Sequence, residues 1–185
     1  MSYIYNDVQF FVSLGGCGGS LIAPNIVLSA AHCKGISETA TLGMHKIDLP
    51  SGQSSEFYNI EHIPIAESIT HPNYVNDSMD NDYWIIRLEY PSTLYADQIV
   101  ELDTPSDALD LDDNDEHELV IFGFGTTSSG GDTPNIMQEA TVDYITNDQC
   151  TKDPYNYLKR DITNNMMCAG RIGKDSCQVS GGDRY

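Results

Sequence analysis

The sequence predicts an all-β protein. Its apolar runs are short, as at residues 21–22 and 26–28, and turn-forming residues such as Pro24 and Asn25 separate them. Short apolar runs divided by turns are typical of β-barrels and β-sandwiches and not of helical folds. The chain has 185 residues, of which 40% are hydrophobic, so it is long enough to form a core in one or two small domains.

The composition excludes two classes of partner. With 28 acidic and 9 basic residues, the chain carries a formal net charge of −19, and such a surface repels nucleic acid and anionic membranes. No apolar run approaches the length of a membrane span. Acidity of this kind could attract basic peptides, but more often it keeps a protein soluble, which is the interpretation we favour.

Five cysteines favour an oxidising compartment. Because their number is odd, at least one of them lacks a disulfide partner within the chain. Neither Cys-x-x-Cys nor His-Glu-x-x-His occurs, so we expect no metal site and no cofactor. Residues 1–11 lack the basic start and the long apolar centre of a signal peptide. We therefore expect either that the start of a precursor is missing or that the protein is not secreted by that route.

The first elements lead to a histidine. Residues 3–14 contain an apolar alternation that predicts an opening strand, and a hairpin with its turn at 23–25 follows. Small residues then lead into His32. A disulfide between Cys17 and Cys33 would close a loop of about 15 residues, contribute on the order of 3 kcal/mol and hold the backbone of the histidine. Such a histidine is suited to proton transfer, although these residues alone are equally compatible with a histidine in the core.

The next elements end at a carboxylate. A strand end, a polar loop, a weakly alternating strand and a turn are predicted in turn at 39–43, 46–55, 57–69 and 71–74. The apolar run at 84–88 predicts a buried strand with Asp82 at its entrance. A carboxylate there is costly unless it is paired, and an imidazolium is an obvious partner. The alternatives are that Asp82 caps the strand at the surface, or that Asp80 is the pairing carboxylate.

An acidic stretch at 101–118 separates the two halves, and we interpret it as an exposed linker. Asp110, Asp112 and Asn114 alternate as in a calcium loop, but Asp115 stands where that loop needs glycine. A strand, a Gly/Ser/Thr-rich loop, a second strand and a short helix are predicted beyond the linker at 119–125, 126–134, 137–145 and 155–160.

Several motifs of the chain resemble those of the trypsin-like, chymotrypsin-fold serine endopeptidases. They are Cys-Gly-Gly-Ser-Leu-Ile at 17–22, Ser-Ala-Ala-His-Cys at 29–33, His-Pro-Asn-Tyr at 71–74, Met-Met-Cys-Ala-Gly at 166–170 and Gly-Lys-Asp-Ser-Cys-Gln at 173–178. The resemblance extends from Val8 to Gly182, which is nearly the whole chain.

The resemblance implies two antiparallel six-stranded β-barrels, of which the second is incomplete. The first barrel then spans residues 1–103, the acidic linker 104–118 and the incomplete second barrel 119–185. The family also implies protein or peptide substrates, protease inhibitors as further partners and a monomeric state. It implies a location outside the cell or in the secretory pathway.

The same resemblance assigns catalytic roles. It makes Ser180 the nucleophile, His32 the base that takes its proton and later protonates the leaving amine, and Asp82 the carboxylate that orients the imidazole. Asp175 resembles the carboxylate at the base of the specificity pocket. A carboxylate in that position implies cleavage after Lys or Arg, because it forms a charge-assisted contact with a cationic side chain.

The resemblance also implies how the cysteines pair. It implies disulfides Cys17–Cys33 and Cys150–Cys168, and it leaves Cys177 unpaired, because the partner expected in the family lies in strands beyond the end of this sequence. We therefore expect a chain that is truncated at its C-terminus. We also expect the activated N-terminus of the family to be missing, because no start of the Ile-Val-Gly-Gly type occurs.

The nucleophile turn departs from the family pattern. After Gln178 the family has Gly-Asp, and this chain has the single residue Val179. A one-residue deletion makes Ser180 the nucleophile, whereas an ungapped alignment puts Gly181 there. A shortened turn would misaim the N–H donors of the oxyanion hole, where the loss of one donor costs about a hundred- to a thousandfold in rate. We therefore expect an impaired serine endopeptidase or, alternatively, a non-catalytic homologue that acts as a protein-binding module.

Overall fold

Strands dominate the part of the chain that the structure describes. The structure is a computed structural model, and it describes residues 8–48, 59–94, 99–102, 118–126, 131–152 and 162–171. Within these ranges, no helix is long and apolar enough to cross a membrane.

Six strands in the first half form a closed antiparallel barrel. They are β1 (Phe11–Ser13), β2 (Gly18–Ala23), β3 (Ile26–Ser29), β4 (Thr39–Leu42), β5 (Glu61–Thr70) and β6 (Trp84–Leu88). Their order around the barrel is β1-β2-β3-β6-β5-β4, and β4 pairs with β1 to close it. Each of the six described strands thus pairs with a neighbour on both sides, and such closure removes the usual route to edge-to-edge association.

The barrel is filled by the inward side chains of alternating positions. On β6, Trp84, Ile86 and Leu88 are buried, whereas Ile85 between them faces outward. The other strands add further residues to the same core, namely Val12, Leu21, Val27, Ala40, Leu42 and Ile63. Full burial of a Val, Leu or Ile side chain contributes about 1.5–3 kcal/mol, so this core contributes strongly to the stability of the barrel.

The hairpin between β2 and β3 confirms the turn predicted at 23–25. The two strands are close enough at Gly19 that an added Cβ would lie 2.8 Å from Val27 Cγ1 and 3.0 Å from the carbonyl oxygen of Leu28. Only glycine fits there without a shift of its neighbours, so this residue sets the spacing of the hairpin.

The second half contributes a three-stranded antiparallel sheet. It consists of β7 (Glu118–Gly123), β8 (Gln138–Ile145) and β9 (Cys168–Gly170), with β8 in the centre. A one-turn helix, α1 (Asn147–Cys150), follows β8. Its first turn carries a capping box, in which the Thr146 side chain accepts from the Gln149 N–H and the Gln149 side chain accepts from the Thr146 N–H.

The barrel and the β7–β9 sheet contact each other through backbone and aromatic groups. The Ile47 N–H donates to the carbonyl oxygen of Asn135 at 2.9 Å. Phe10 and Phe122 meet edge to face with ring centroids 6.3 Å apart, a favourable arrangement for aromatic pairs. The two halves are therefore packed against each other as well as linked by the chain.

These observations confirm the predicted all-β class, with one closed six-stranded antiparallel barrel and a second, partial sheet. The strand predicted within 3–14 is present as the short β1. The linker predicted at 104–118 lies outside the described residues except for Glu118, which begins β7, and the helix predicted at 155–160 lies wholly outside them. The assigned boundaries of the two barrels stay predictions.

Candidate active site

His32 lies on a rigid turn at one end of the barrel. A single 3₁₀ turn, Ala31–Cys33, follows β3 and buries its two flanking residues, while the side chain of His32 is 48% exposed. A disulfide joins Cys33 to Cys17, with their Cα atoms 6.1 Å apart. His32 is therefore not a core histidine. It is an accessible imidazole on a backbone that is fixed on both sides.

Asp82 makes contact with His32 at two points. Its Oδ2 lies 2.6 Å from His32 Nδ1, and its Oδ1 accepts the backbone N–H of the same histidine at 2.9 Å. Because a carboxylate only accepts hydrogen bonds, it fixes the proton on Nδ1 and leaves the lone pair of the neutral ring on Nε2. That tautomer can take a proton from a hydroxyl group.

The strand register brings these two residues together. β3 and β6 are adjacent antiparallel strands, and Ser29 at the end of β3 pairs with Trp84 at the start of β6. His32 follows Ser29 by three residues, and Asp82 precedes Trp84 by two. Since the strands run in opposite directions, both residues emerge from the same end of the barrel.

Asp80, the rival carboxylate, bonds elsewhere. Its Oδ1 accepts from the Thr163 hydroxyl at 2.6 Å and from Asn165 Nδ2 at 3.1 Å. These two hydrogen bonds, the Thr163 hydroxyl first, hold the pKa of Asp80 below its usual value. Asp80 thus faces the segment before β9, and Asp82 is the carboxylate that contacts the histidine.

The short segment that carries both aspartates has an unusual backbone. Met79 has a φ of 55° and Asn81 a φ of 56°, values in the left-handed region that Asn tolerates and that Met rarely adopts. Asn81 Nδ2 donates to the carbonyl oxygen of Asn73 at 3.2 Å. Backbone strain of this kind persists only where surrounding contacts impose it.

Three potential metal-ligand atoms at His32 and the adjacent disulfide lie close enough together to hold a metal ion, but their chemistry does not fit one. One ligand atom from each of Cys17, His32 and Cys33 lies within 4.8 Å of the others. The two sulfurs form a disulfide, however, and a metal needs thiolates. The chemistry of the cluster therefore favours proton transfer by His32 over metal binding.

The remaining predicted site residues, Asp175, Cys177 and Ser180, lie outside the described residues. The predicted bond between Cys150 and Cys168 is present, with Cα atoms 6.4 Å apart, and it joins α1 to β9.

Thr163 and Asn165 carry no signal in the sequence that would identify them as partners of Asp80. Thr163 is separated from Asp80 by 83 positions, and neither of the two belongs to a recognisable motif, so no local signal could have pointed to them.

Comparisons with known proteins agree with the geometry. The family model described as Trypsin matches residues 3–182. A trypsin of Sus scrofa is 35% identical over 184 residues, which cover 96% of this chain and 73% of the relative. A trypsin of Xenopus laevis is 36% identical, with 96% and 69% covered, and an anionic trypsin of Canis lupus familiaris is 35% identical, with 96% and 68% covered.

Proposed function

This chain belongs to the trypsin family of serine endopeptidases, and from that membership we propose that its cleft is built to cleave peptide bonds after Lys or Arg through His32, Asp82 and Ser180. The observation that carries the proposal is the two-point contact between Asp82 and His32, at 2.6 and 2.9 Å. It supplies an accessible base in the tautomer that hydroxyl activation requires.

The proposed mechanism is acyl transfer. The Ser180 hydroxyl attacks the substrate carbonyl while Nε2 of His32 takes its proton. The imidazolium that forms is stabilised by Asp82, and it returns the proton to the leaving amine. Water then hydrolyses the acyl-enzyme with the same histidine as base.

Asp175 is proposed to select the substrate. It lies in the run Gly-Lys-Asp-Ser-Cys-Gln at 173–178, which is the part of the sequence most like the family's specificity segment. An aspartate there would attract a cationic side chain at the scissile bond. The preference for Lys and Arg rests on this one residue.

We further propose that the chain is impaired at its oxyanion hole. Val179 replaces two residues of the family pattern, and a turn that is one residue shorter aims its N–H groups differently. A β-branched residue also fits a tight turn worse than glycine does. The expected cost is about a hundred- to a thousandfold in rate for each donor lost.

The second candidate function is a non-catalytic homologue that binds proteins or inhibitors through the same cleft. The observation that favours it is also Val179. In both cases the partners are proteins or peptides and not nucleic acid or membranes, and we propose a monomer. The disulfides Cys17–Cys33 and Cys150–Cys168 support a location outside the cell or in the secretory pathway.

Labelling with a fluorophosphonate probe tests the two candidates. We expect no labelling of Ser180 in the unmodified chain, and we expect labelling that depends on His32 once Gly-Asp replaces Val179. His32→Ala in the repaired variant is the control. Strong, His32-dependent labelling of the unrepaired chain would show that the oxyanion hole is intact. If the repaired variant stays unlabelled but binds an immobilised protease inhibitor, the binding-module function is favoured.

A further inference from the structure

The segment 79–83 makes contacts with both halves of the molecule. Asp82 contacts His32 in the barrel, while Asp80, two residues earlier, bonds to Thr163 and Asn165. The same short piece of chain therefore touches the candidate base on one side and the second half of the molecule on the other.

The backbone between these contacts is supported from both halves. Met79 and Asn81, on either side of Asp80, both have positive φ values, which Asn tolerates and Met rarely adopts. On the barrel side, the Val75 N–H donates to the Asp80 carbonyl oxygen at 3.0 Å. Asp80 is held from the second half, and the Tyr83 hydroxyl donates to the carbonyl oxygen of Asn165 at 3.4 Å. These contacts lie on both sides of Asp82.

The second half offers a rigid anchor for these bonds. Asn147 Nδ2, on α1, donates to the carbonyl oxygens of Thr163 and Met166 at 3.0 and 3.2 Å. The Cys150–Cys168 disulfide then ties the end of α1 to β9. The loop that carries the two donors to Asp80 is therefore held by α1 and, through the disulfide, by β9.

We propose that Asp80, Thr163 and Asn165 form a clasp that positions the Asp82 carboxylate against His32, so that the second half of the chain sets the geometry of the catalytic pair. Asp80 is thus a positioning residue that acts through Asp82. The inference rests on the proposed roles of His32 and Asp82. The low pKa of Asp80 agrees with a carboxylate that accepts both bonds in its charged form.

The test must separate the effect of the hydrogen bonds to Asp80 from the effect of its negative charge. Thr163→Val combined with Asn165→Ala removes both donors and keeps that charge, whereas Asp80→Ala removes the acceptor. Thr163→Ser keeps the hydroxyl and serves as the conservative rescue. Asp148→Ala is the matched control, because it also removes an exposed aspartate. The ion pair of Asp148 with Lys152 includes no residue of the clasp.

The readout is the low-field proton resonance of His32 Nδ1, which a short bond to a carboxylate shifts far downfield and which does not require activity. We expect this resonance to be lost in Asp80→Ala and in the double variant. It should be retained in Thr163→Ser and in Asp148→Ala. The indole resonance of Trp84, the single tryptophan of the chain and part of the barrel core, should stay unchanged in all four.

Each other outcome decides the question. If the His32 resonance survives in the double variant, the clasp does not position Asp82 and the inference fails, while the proposed catalytic pair stands. If the Trp84 resonance is lost together with that of His32, the bonds of Asp80 to Thr163 and Asn165 stabilise the barrel as a whole and do not specifically position Asp82, and the inference also fails. If the unmodified chain shows no low-field resonance, the proposed pairing of His32 with Asp82 fails, and the clasp fails with it.

Discussion

At the scale of single residues, the contact between Asp82 and His32 is defined by chemistry as well as by distance. The carboxylate accepts from both the ring and the backbone of the histidine, so the ring can neither rotate nor change tautomer without breaking a charge-assisted bond. An amide in place of the carboxylate would reverse this preference.

Asp82→Asn should therefore switch the tautomer of His32. The amide nitrogen of the new side chain would donate to Nδ1 and leave the proton on Nε2, which then cannot accept from a hydroxyl group. In a labelling-competent variant we expect a loss of about ten-thousandfold in rate. The ¹⁵N chemical shifts of the imidazole measure the tautomer directly.

His62 is an internal control for that measurement. Its Nδ1 lies 3.0 Å from the Thr41 hydroxyl, far along the chain from Asp82, and its shifts should not change. If the His32 tautomer is the same in Asp82→Asn, then Asp82 does not set it.

Among the described glycines, Gly19 has the least room for an added Cβ. We expect Gly19→Ala to lower the free energy of unfolding by about 1–3 kcal/mol, because the new Cβ would lie 2.8 Å from Val27 Cγ1. Urea denaturation measures the change. Gly16→Ala is the matched control, since its Cβ would meet only Ile36 Cγ2 at 3.7 Å. Equal effects of the two substitutions would contradict the argument.

The local sequence marks His32 and Asp82 as candidates and the resemblance to a family assigns their roles, but neither indicates the partners of Asp80. The histidine lies beside a cysteine after a hairpin, and the aspartate precedes a buried strand, so both carry a signal within a few residues. The bonds from Thr163 and Asn165 exist only because the β7–β9 sheet packs against the barrel. That packing depends on contacts between residues far apart in the chain, which cannot be predicted from a single sequence.

At the scale of elements, one cation joins all three strands of the second sheet. Arg171, just after β9, bonds to Asp143 on β8 and to Glu118 on β7, and Glu118 pairs with Asp143 in the strand register. The bonds from Arg171 hold the pKa of Asp143 below its ordinary value of 3.8, and the two acids raise the pKa of Arg171. The cluster ties the edge strands of an otherwise open sheet to its centre.

This cluster predicts how the sheet responds to acid. A carboxylate with a lowered folded-state pKa contributes its full stabilisation above the unfolded value, here 3.8, and that contribution is lost as the pH falls through the lower folded-state value. Arg171→Met should therefore lose stability at neutral pH and show a weaker dependence on acid than the unmodified chain. Melting temperatures at pH 6 and at about pH 3 measure this difference.

Lys152→Met provides the comparison for that experiment. It removes an exposed i,i+4 ion pair between Asp148 on α1 and Lys152 just after it, and such pairs contribute little to the free energy of unfolding. If its acid dependence matched that of Arg171→Met, the cross-strand cluster would have no special role.

The strands themselves were predictable where a local signal is strong. The turn at 23–25 and the buried run at 84–88 were placed correctly, since turn residues and an apolar run mark them locally. The order of the strands around the barrel was not readable from the residues alone. It depends on which strand edges meet, as in the pairing of β1 with β4, whereas the resemblance to a family implied only that six antiparallel strands form a barrel.

At the scale of the whole molecule, the two halves differ in how complete their described parts are. The barrel closes on itself and contains its own core. Residues 99–102 also belong to it, since the Val100 N–H donates to the carbonyl oxygen of Leu21 at 3.1 Å. The described part of the second half is an open sheet of three strands.

We therefore expect residues 1–102 to fold without the rest of the chain. A closed barrel with a continuous core satisfies its own backbone and buries its own apolar side chains. Dispersed amide resonances and a cooperative thermal transition would show it. Residues 118–185 are the counterpart and should remain unfolded alone. A disordered 1–102 fragment would contradict the prediction and show that the barrel depends on contacts such as Phe10–Phe122.

Because Ser29 pairs with Trp84, the distance between His32 and Asp82 depends on how many residues separate each of them from that pair. The two spacers are the three residues that lead from the end of β3 to His32 and the two that lead from Asp82 to the start of β6. Their lengths fix where each side chain lies. Insertions and deletions in the two spacers are therefore tolerated much less than substitutions, and much less than length changes in loops remote from β3 and β6. Variation in length, more than variation in residue type, is what would separate the imidazole from its carboxylate.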